Sequence, residues 1–438
     1  MSMLNNRKIV SVILCMLLLF CVLAGCTSDN GSIPNHSDTN EVTLSLLIDN
    51  QADQEGIRAV VEKIEKKYQI KTDIETRPSG VEGHQVMKTR LATGDMADLV
   101  IYNSGSLLQS LNPEEYFVDL KDEPFMRKIV PSFKDSVTVN GKVFGLPLGS
   151  AIAGGWLYNK KVYQELGLSV PKTWDELISN SERIKAAGKT AVIGTYRDDW
   201  TTQLIVVADY HNVIADDPTF AEDFSVNKAK FSTTPAALRS FEKLSEVYQR
   251  GFLNKDFQTA TYKEGMKMLI DGTGVQYPML SSIIMGIAKN YPDKMNDIGF
   301  FPQPGDNPEK KGVTVFLPAA IYVNKNTQHL EAAKKWLAYS TSPEGVKTLF
   351  AGRSPIGPLA IKGMDDTKDA IPAVKDILSY FQSGLTTPAL EYLSPLKGSN
   401  LPQITMKVGS GQISAKTGAG LYDKDVELQA KQLGLKGW

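Results

Sequence analysis

The chain has 438 residues, 42% hydrophobic and 22% charged, with 48 Lys and Arg against 49 Asp and Glu for a formal net charge of −1. So even a balance leaves no electrostatic footprint for nucleic acid, no Lys/Arg block marks a basic tail, and the length implies more than one core. The three cysteines, Cys15, Cys21 and Cys26, all fall in the first 26 residues, so the rest of the chain has no thiol for a disulfide, a thiolate metal site or a cysteine nucleophile.

Taken in chain order, the first feature is Arg7-Lys8, then an apolar run over residues 9–23, then Leu23-Ala24-Gly25-Cys26. A charged start, a hydrophobic middle and small residues before a cysteine make an export signal of the lipoprotein kind. The run is shorter than the roughly 20 apolar residues of a membrane span. The expectation is a signal peptide over 1–25, cleavage before Cys26, and a lipid on that cysteine that holds the protein to the extracellular face of the cell membrane. Residues 27–40 are Ser, Asp, Asn, Gly, Thr and Pro with one histidine and a single isoleucine, too polar to fold, so 26–40 is expected to be a flexible tether.

A β-prone run over 42–48 precedes Ile57, Val60, Val61, Ile64 and Tyr68, whose spacing of 3, 1, 3 and 4 puts all five on one helix face. Ile70, Thr72 and Ile74 alternate as a strand does, 86–92 is helical, and 98–102 is another strand. Strand, helix, strand, helix, strand predicts a parallel sheet with crossover helices. A second α/β block begins near Gly149. Its elements are a strand over 156–158, a helix opened by the capping box Thr173-Trp174-Asp175-Glu176 and closed at Gly188, and a strand over 190–194. Thr234-Pro235 starts a helix with the stripe Leu238, Phe241, Leu244, Val247 and Tyr248. Strands over 274–278 and 319–323 and helices over 330–339, 343–350 and 373–381 follow. The pattern is two α/β lobes joined by strands that cross more than once.

The search for catalysis returns mainly exclusions. His36, His84, His211 and His329 are scattered, with no pair spaced to hold a metal on a helix face. Gly188-Lys189-Thr190 has Arg183 where a phosphate loop needs its first glycine, and it follows a helix instead of opening one. No Gly-x-Ser-x-Gly elbow occurs. Asp198-Asp199 could be a glycosidase-type carboxylate pair. What stands out is a mixture of polar and aromatic residues at predicted strand ends: Asp49 and Asn50; Tyr102, Asn103 and Ser104; Ser150 and Trp156; Asp198, Asp199 and Trp200; Tyr277 and Met279. Open α/β sheets bind ligands beyond the carboxyl ends of their strands. Sugars need this mixture, because their C–H faces pack on rings while their hydroxyls need paired polar partners.

Three stretches resemble family 1 of the extracellular solute-binding proteins, the receptors of carbohydrate ABC importers. They are Thr93-Gly94-Asp95-Met96-Ala97-Asp98-Leu99-Val100; Tyr158-Asn159-Lys160 with Gly167-Leu168 and Pro171-Lys172-Thr173-Trp174-Asp175-Glu176-Leu177; and Ala332-Ala333-Lys334-Lys335-Trp336-Leu337 with Ser342-Pro343-Glu344-Gly345. The resemblance implies an α/β, two-lobed periplasmic-binding-protein type II fold with hinge-connected lobes. Lobe 1 would take about 41–148 and 314–370, lobe 2 about 149–313 and 371–438. It further implies a monomer that binds a mono- or oligosaccharide, catalyses nothing, uses no cofactor or metal, and has permease subunits as its partner. By position, Asp49 and Asn50 match a ligand-contacting pair, Tyr102 a cleft aromatic, Asp199 and Trp200 a cleft-wall pair, and Tyr277-Pro278-Met279 a ligand segment whose motif tryptophan is here Ser282. Stacking then falls to Trp156 or Trp200, and 401–413 lacks an aromatic often found there. Two alternatives stay open: a receptor for a non-sugar solute such as a peptide or phosphorylated compound, and a secreted glycan-acting enzyme with Asp198 or Asp199 as its acid.

Overall fold

The computed structural model describes residues 42–52, 54–350, 355–364 and 370–438; the expected signal, Cys26 and tether lie outside them. β1 (Val42–Asp49) pairs in parallel with β2 (Ile70–Arg77) along its whole length and with β3 (Leu99–Tyr102) on its other edge. The helix Gln54–Tyr68 crosses between β1 and β2 and buries Ile57, Val60 and Ile64. Val61 and Tyr68 form the margin of that stripe, with Tyr68 edge-on to Tyr339 at the surface. The next helix, Gly80–Thr93, starts six residues before the expected one. Its first turn packs backbone to backbone, where a Cβ on Gly83 would lie 1.9 Å from the Pro78 carbonyl, and such a turn carries no apolar periodicity.

After β4 (Gly145–Pro147) the chain passes into a second sheet. β5 (Ile152–Asn159) is its centre, antiparallel to β7 (Gly274–Leu280), which in turn pairs in parallel with β6 (Thr190–Val192). The other edge of β5 is shared end to end by β8 (Ile298–Pro302) and β9 (Val313–Phe316), both antiparallel to it. β5 begins four residues before the expected strand because its first half reads Ile-Ala-Gly-Gly. Gly155 has no room for a side chain, since a Cβ there would lie 2.5 Å from the Phe301 carbonyl. β10 (Ala320–Val323) then returns to the first sheet between β3 and β4, antiparallel to both, and β11 (Thr386–Pro388) joins β9 in the second. The sheet orders are β2-β1-β3-β10-β4 and β11-β9-β5-β7-β6.

The chain therefore changes sheets at 148–151, at 317–319, and again between Ile361 and the helix Pro372–Gln382. The second crossing follows Phe316, slightly later than the 314 expected, because β9 is fully paired within the second sheet. The first two crossings lie side by side, the Leu148 amide donating to the Ala319 carbonyl (2.9 Å), and the Ala151 amide of the first also donates to the carbonyl of Pro358 (2.8 Å), upstream of the third.

Each lobe has its own core. Leu44, Leu46, Val100, Phe133, Leu146, Tyr322 and Trp336 centre the first. The second sheet is covered on both faces, by Trp156, Trp174, Phe241 and Tyr422 on one side and Leu157, Leu269, Ile283 and Ile377 on the other. At the start of the helix Trp174–Ala186, Thr173 accepts from the Glu176 amide (3.2 Å), but the Glu176 carboxylate takes the Lys172 amide (2.7 Å) and not that of Thr173 itself. The reciprocal capping box occurs at Thr261 and Glu264, on the helix Tyr262–Asp271.

Candidate functional site

The parallel strands β1, β2 and β3 open their carboxyl ends at one edge of lobe 1, and their last residues build one wall. Asp49 ends β1. Its carboxylate accepts the Gln51 amide (2.8 Å), the Ser79 hydroxyl and Nη1 of Arg77 (3.3 Å). Arg77 ends β2, is 5% exposed, donates to the Pro78 carbonyl (2.9 Å) and lies over the Tyr102 ring at 5.1 Å. Asn50 is exposed, with the Ser79 hydroxyl 3.3 Å from its Oδ1.

Tyr102 ends β3 beneath this wall. It is 4% exposed, its hydroxyl is 2.5 Å from Nδ1 of His84, and burial raises its pKa against the opposing charge of Arg77. Burial, with the cations of Lys88 and Arg77 behind it, pushes His84 down to about 4. The imidazole is therefore neutral at pH 7 and shares one hydrogen bond with the Tyr102 hydroxyl at Nδ1.

The opposite wall comes from the turn Asp199–Gln203, which follows β6 in lobe 2. Asp198 accepts the Tyr262 amide (2.6 Å) and the Gln51 side-chain amide (2.5 Å). The Trp200 indole donates to Oε1 of Gln51 (2.7 Å), and its ring is tilted against that of Tyr262 at 5.6 Å. Gln51 of lobe 1 thus bridges two residues of lobe 2. Asp199 rests against Gly80 and Val81 of lobe 1. Burial raises its pKa, the Val81 and Trp200 amides pull it back, and the neighbouring Asp198 and Glu82 carboxylates add to the rise.

Of the residues expected at the site, Asp49, Asn50, Asp198, Asp199 and Trp200 meet where the lobes face each other. Asn103 is exposed next to the wall, its carbonyl accepting the Tyr322 hydroxyl (2.8 Å). Ser104 and Ser150 are buried, the latter in the first crossing, bridged to Leu359. Three expected residues belong to the core. Trp156 is 0% exposed, donates to Gln303 (2.6 Å) and stacks on Phe301. It sits four residues inside β5 and has no face to give a ligand. Tyr277 and Met279 are each 1% exposed, and the Tyr277 hydroxyl is tied to Thr195 (2.8 Å). β7 continues through Pro278 to Leu280, so neither lies beyond a strand end.

Sequence reasoning missed Gln51, Ser79, Arg77 and Tyr392. Arg77 and Ser79 follow from applying the strand-end rule to β2 as well as to β1 and β3, and Gln51 from carrying it one residue further past β1. Tyr392 falls just before the 401–413 segment searched for an aromatic, and its hydroxyl donates to the Leu317 carbonyl (3.3 Å) in the second crossing. Among the described residues no three His, Cys, Asp or Glu converge as a metal ion would require.

Two sheets in two lobes, linked by chain crossings at 148–151 and 317–319 that lie side by side, and facing each other with carboxylate, amide and indole groups, define a two-lobed binding protein. The family described as bacterial extracellular solute-binding protein matches residues 49–347, and the chain belongs to it. It is 26% identical over 363 residues to the multiple sugar-binding protein of Streptococcus mutans, covering 80% of this chain and 81% of that one. It is 22% identical over 363 residues to the melibiose/raffinose/stachyose-binding protein MelE of Bacillus subtilis, at 78% and 79% coverage. The solved structure of the binding protein RafE in complex with raffinose shares the fold, with a TM-score of 0.73 at 21% identity over 89% of this chain and 99% of that one. The chain is a solute-binding protein and not an enzyme, which removes the glycan-acting alternative for Asp198 and Asp199.

Proposed function

We propose that the chain is a lipid-anchored extracellular receptor that takes a mono- or oligosaccharide between its lobes and delivers it to the permease subunits of an ABC importer. The observation that carries this is the meeting of Asp49 and Asn50 from lobe 1 with Asp198, Asp199 and Trp200 from lobe 2. Carboxylates and amides pair with sugar hydroxyls in charge-assisted and neutral hydrogen bonds, and an indole face packs on sugar C–H groups. Asp49 is held in advance by Arg77 and Ser79, so little ordering is left for the ligand to impose. Trp200 replaces Trp156 as the stacking platform, and Asn103 adds an exposed amide at the end of β3. The sugars in the names of the relatives support the ligand class. The signal pattern ending in Cys26 supports the anchor, which predicts that Cys26→Ala abolishes lipid labelling of the protein; labelling that persisted would contradict it.

The test of the ligand is a thermal-shift screen against mono- and oligosaccharides, with amino acids, short peptides and inorganic phosphate as controls. A sugar at about 1,000 times its Kd stabilises the folded state by about 4 kcal/mol and raises the melting temperature by several degrees. Trp200→Ala weakens that sugar by roughly 1–3 kcal/mol, the scale of burying a large apolar face, and leaves the far-ultraviolet spectrum unchanged. Flat curves for every sugar, with a peptide or phosphate responding, overturn the reading.

A further inference from the structure

The lobes touch each other through groups of their own, and two of these contacts are made at lobe 1 glycines with positive φ. Gly80 (φ 67°) is the first residue of the helix Gly80–Thr93, and a Cβ there would lie 1.9 Å from Oδ1 of Asp199 in lobe 2. Ser79 occupies the N-cap position of that helix but makes no cap hydrogen bond, because its hydroxyl is turned to Asp49. The amide of Val81, the second helical residue that an N-cap side chain normally serves, is instead met by the Asp199 carboxylate. Gly105 (φ 72°) is the second case: a Cβ there would lie 2.3 Å from the Glu391 carbonyl and 3.0 Å from the Tyr392 ring, both of lobe 2. Beside the first contact, Gln51 spans from Asp198 to Trp200, and farther along the same face Lys289 of lobe 2 pairs with Glu55 of lobe 1 at 3.3 Å.

We propose that these contacts form a two-point latch, Asp199 on the Gly80–Val81 helix start and Glu391–Tyr392 on Gly105, that holds the lobes closed independently of any solute. This rests on the receptor reading of the cleft and adds to it a closing force that the chain itself supplies. A ligand that binds only the closed form gains apparent affinity in proportion to the closed fraction, so the latch sets affinity without touching the solute. Both glycines are needed for close approach, since any side chain would hold the lobes apart.

The test is hydrogen exchange of the full chain without added sugar, followed in peptides covering Val81, Ser106 and, as controls, the central strands β1 and β5. Gly105→Ala breaks the second contact, and the expected result is several-fold faster exchange at Val81, at the other contact, with β1 and β5 unchanged. Gln51→Ala, at an exposed residue that carries no fold, gives the same acceleration at Val81. Exchange at Val81 equal to wild type in both variants overturns the latch, as does acceleration confined to Ser106 in Gly105→Ala. Because no sugar is present, these outcomes are independent of whether the thermal-shift screen finds a sugar.

Discussion

His84 shows how a residue that contacts no ligand can still govern the site. It lies under the lobe 1 wall, 4% exposed, hydrogen-bonded to the Tyr102 hydroxyl at Nδ1, while Nε2 has no partner among the described residues. Burial and two nearby cations lower it from 6.5 to about 4 in the fold. An unfolded chain charges this imidazole as the pH drops below about 6.5, whereas the folded one resists until about 4, so protons bind the unfolded state preferentially across that window. His84 therefore contributes fully above pH 6.5, and about 3 kcal/mol of stability is lost by about pH 4. His84→Gln keeps an acceptor for Tyr102 and cannot titrate. Urea unfolding at pH 7 and near pH 4 should show a smaller loss in the variant than in wild type by about this amount, and parallel pH profiles would refute the assignment.

Among the elements, the helix Tyr262–Asp271 ties capping to the site. Its first amide is held by Asp198, the carboxylate that also receives Gln51, and its box is closed by Thr261 and Glu264 in both directions. Thr261→Ala removes one arm and should cost about 1 kcal/mol in urea unfolding; a change within error would mean that Asp198 alone anchors this helix start. Helices that bury long apolar side chains were legible from the chain: Gln54–Tyr68, Trp174–Ala186 and Pro235–Gln249 all show regular stripes. Ala415–Gln432 was not, because its buried face is Gly418, Ala419, Tyr422, Asp423, Val426 and Ala430, small or polar for the most part. Asp423 is buried because its carboxylate accepts the Phe231 and Ser232 amides (2.8 and 3.0 Å). Pro278 misled in a different way. A proline in a strand reads as its end, yet here it lies opposite Trp156 and the strand runs on to Leu280. That early ending placed Tyr277 and Met279 in the cleft. Where β1 ends at Asp49 and after β6 ends at Val192, the same rule points to residues that the structure places on the facing walls.

For the whole molecule, the two-lobe architecture was readable from repeated β-α-β patterning, but the crossings were less so, because 148–151 and 317–319 are too short to carry a pattern. Their consequence is that walls from both lobes face each other, and the charge of the proposed cleft can be counted. Asp49, Asp198 and Asp199, with Glu82 beside them, outnumber Arg77, whose guanidinium is 3.3 Å from Asp49, within a chain whose net charge is −1. An acidic mouth repels a phosphorylated or otherwise anionic solute, attracts a cationic one, and is indifferent to a neutral sugar held at short range. Salt separates these cases, since the Debye length shrinks from about 10 Å at 0.1 M to about 3 Å at 1 M. Affinity for the stabilising sugar, titrated by calorimetry from 0.05 to 0.5 M NaCl, should therefore change by less than about twofold, because no ligand charge is there to be screened. The exposed Glu55–Lys289 pair, with both side chains about half accessible, adds little to that dependence, as surface ion pairs contribute about 0–1 kcal/mol. A tenfold weakening over the same range would show that the acidic mouth is pulling on a cation, and would replace the sugar with a positively charged solute while leaving the fold and the family as they stand.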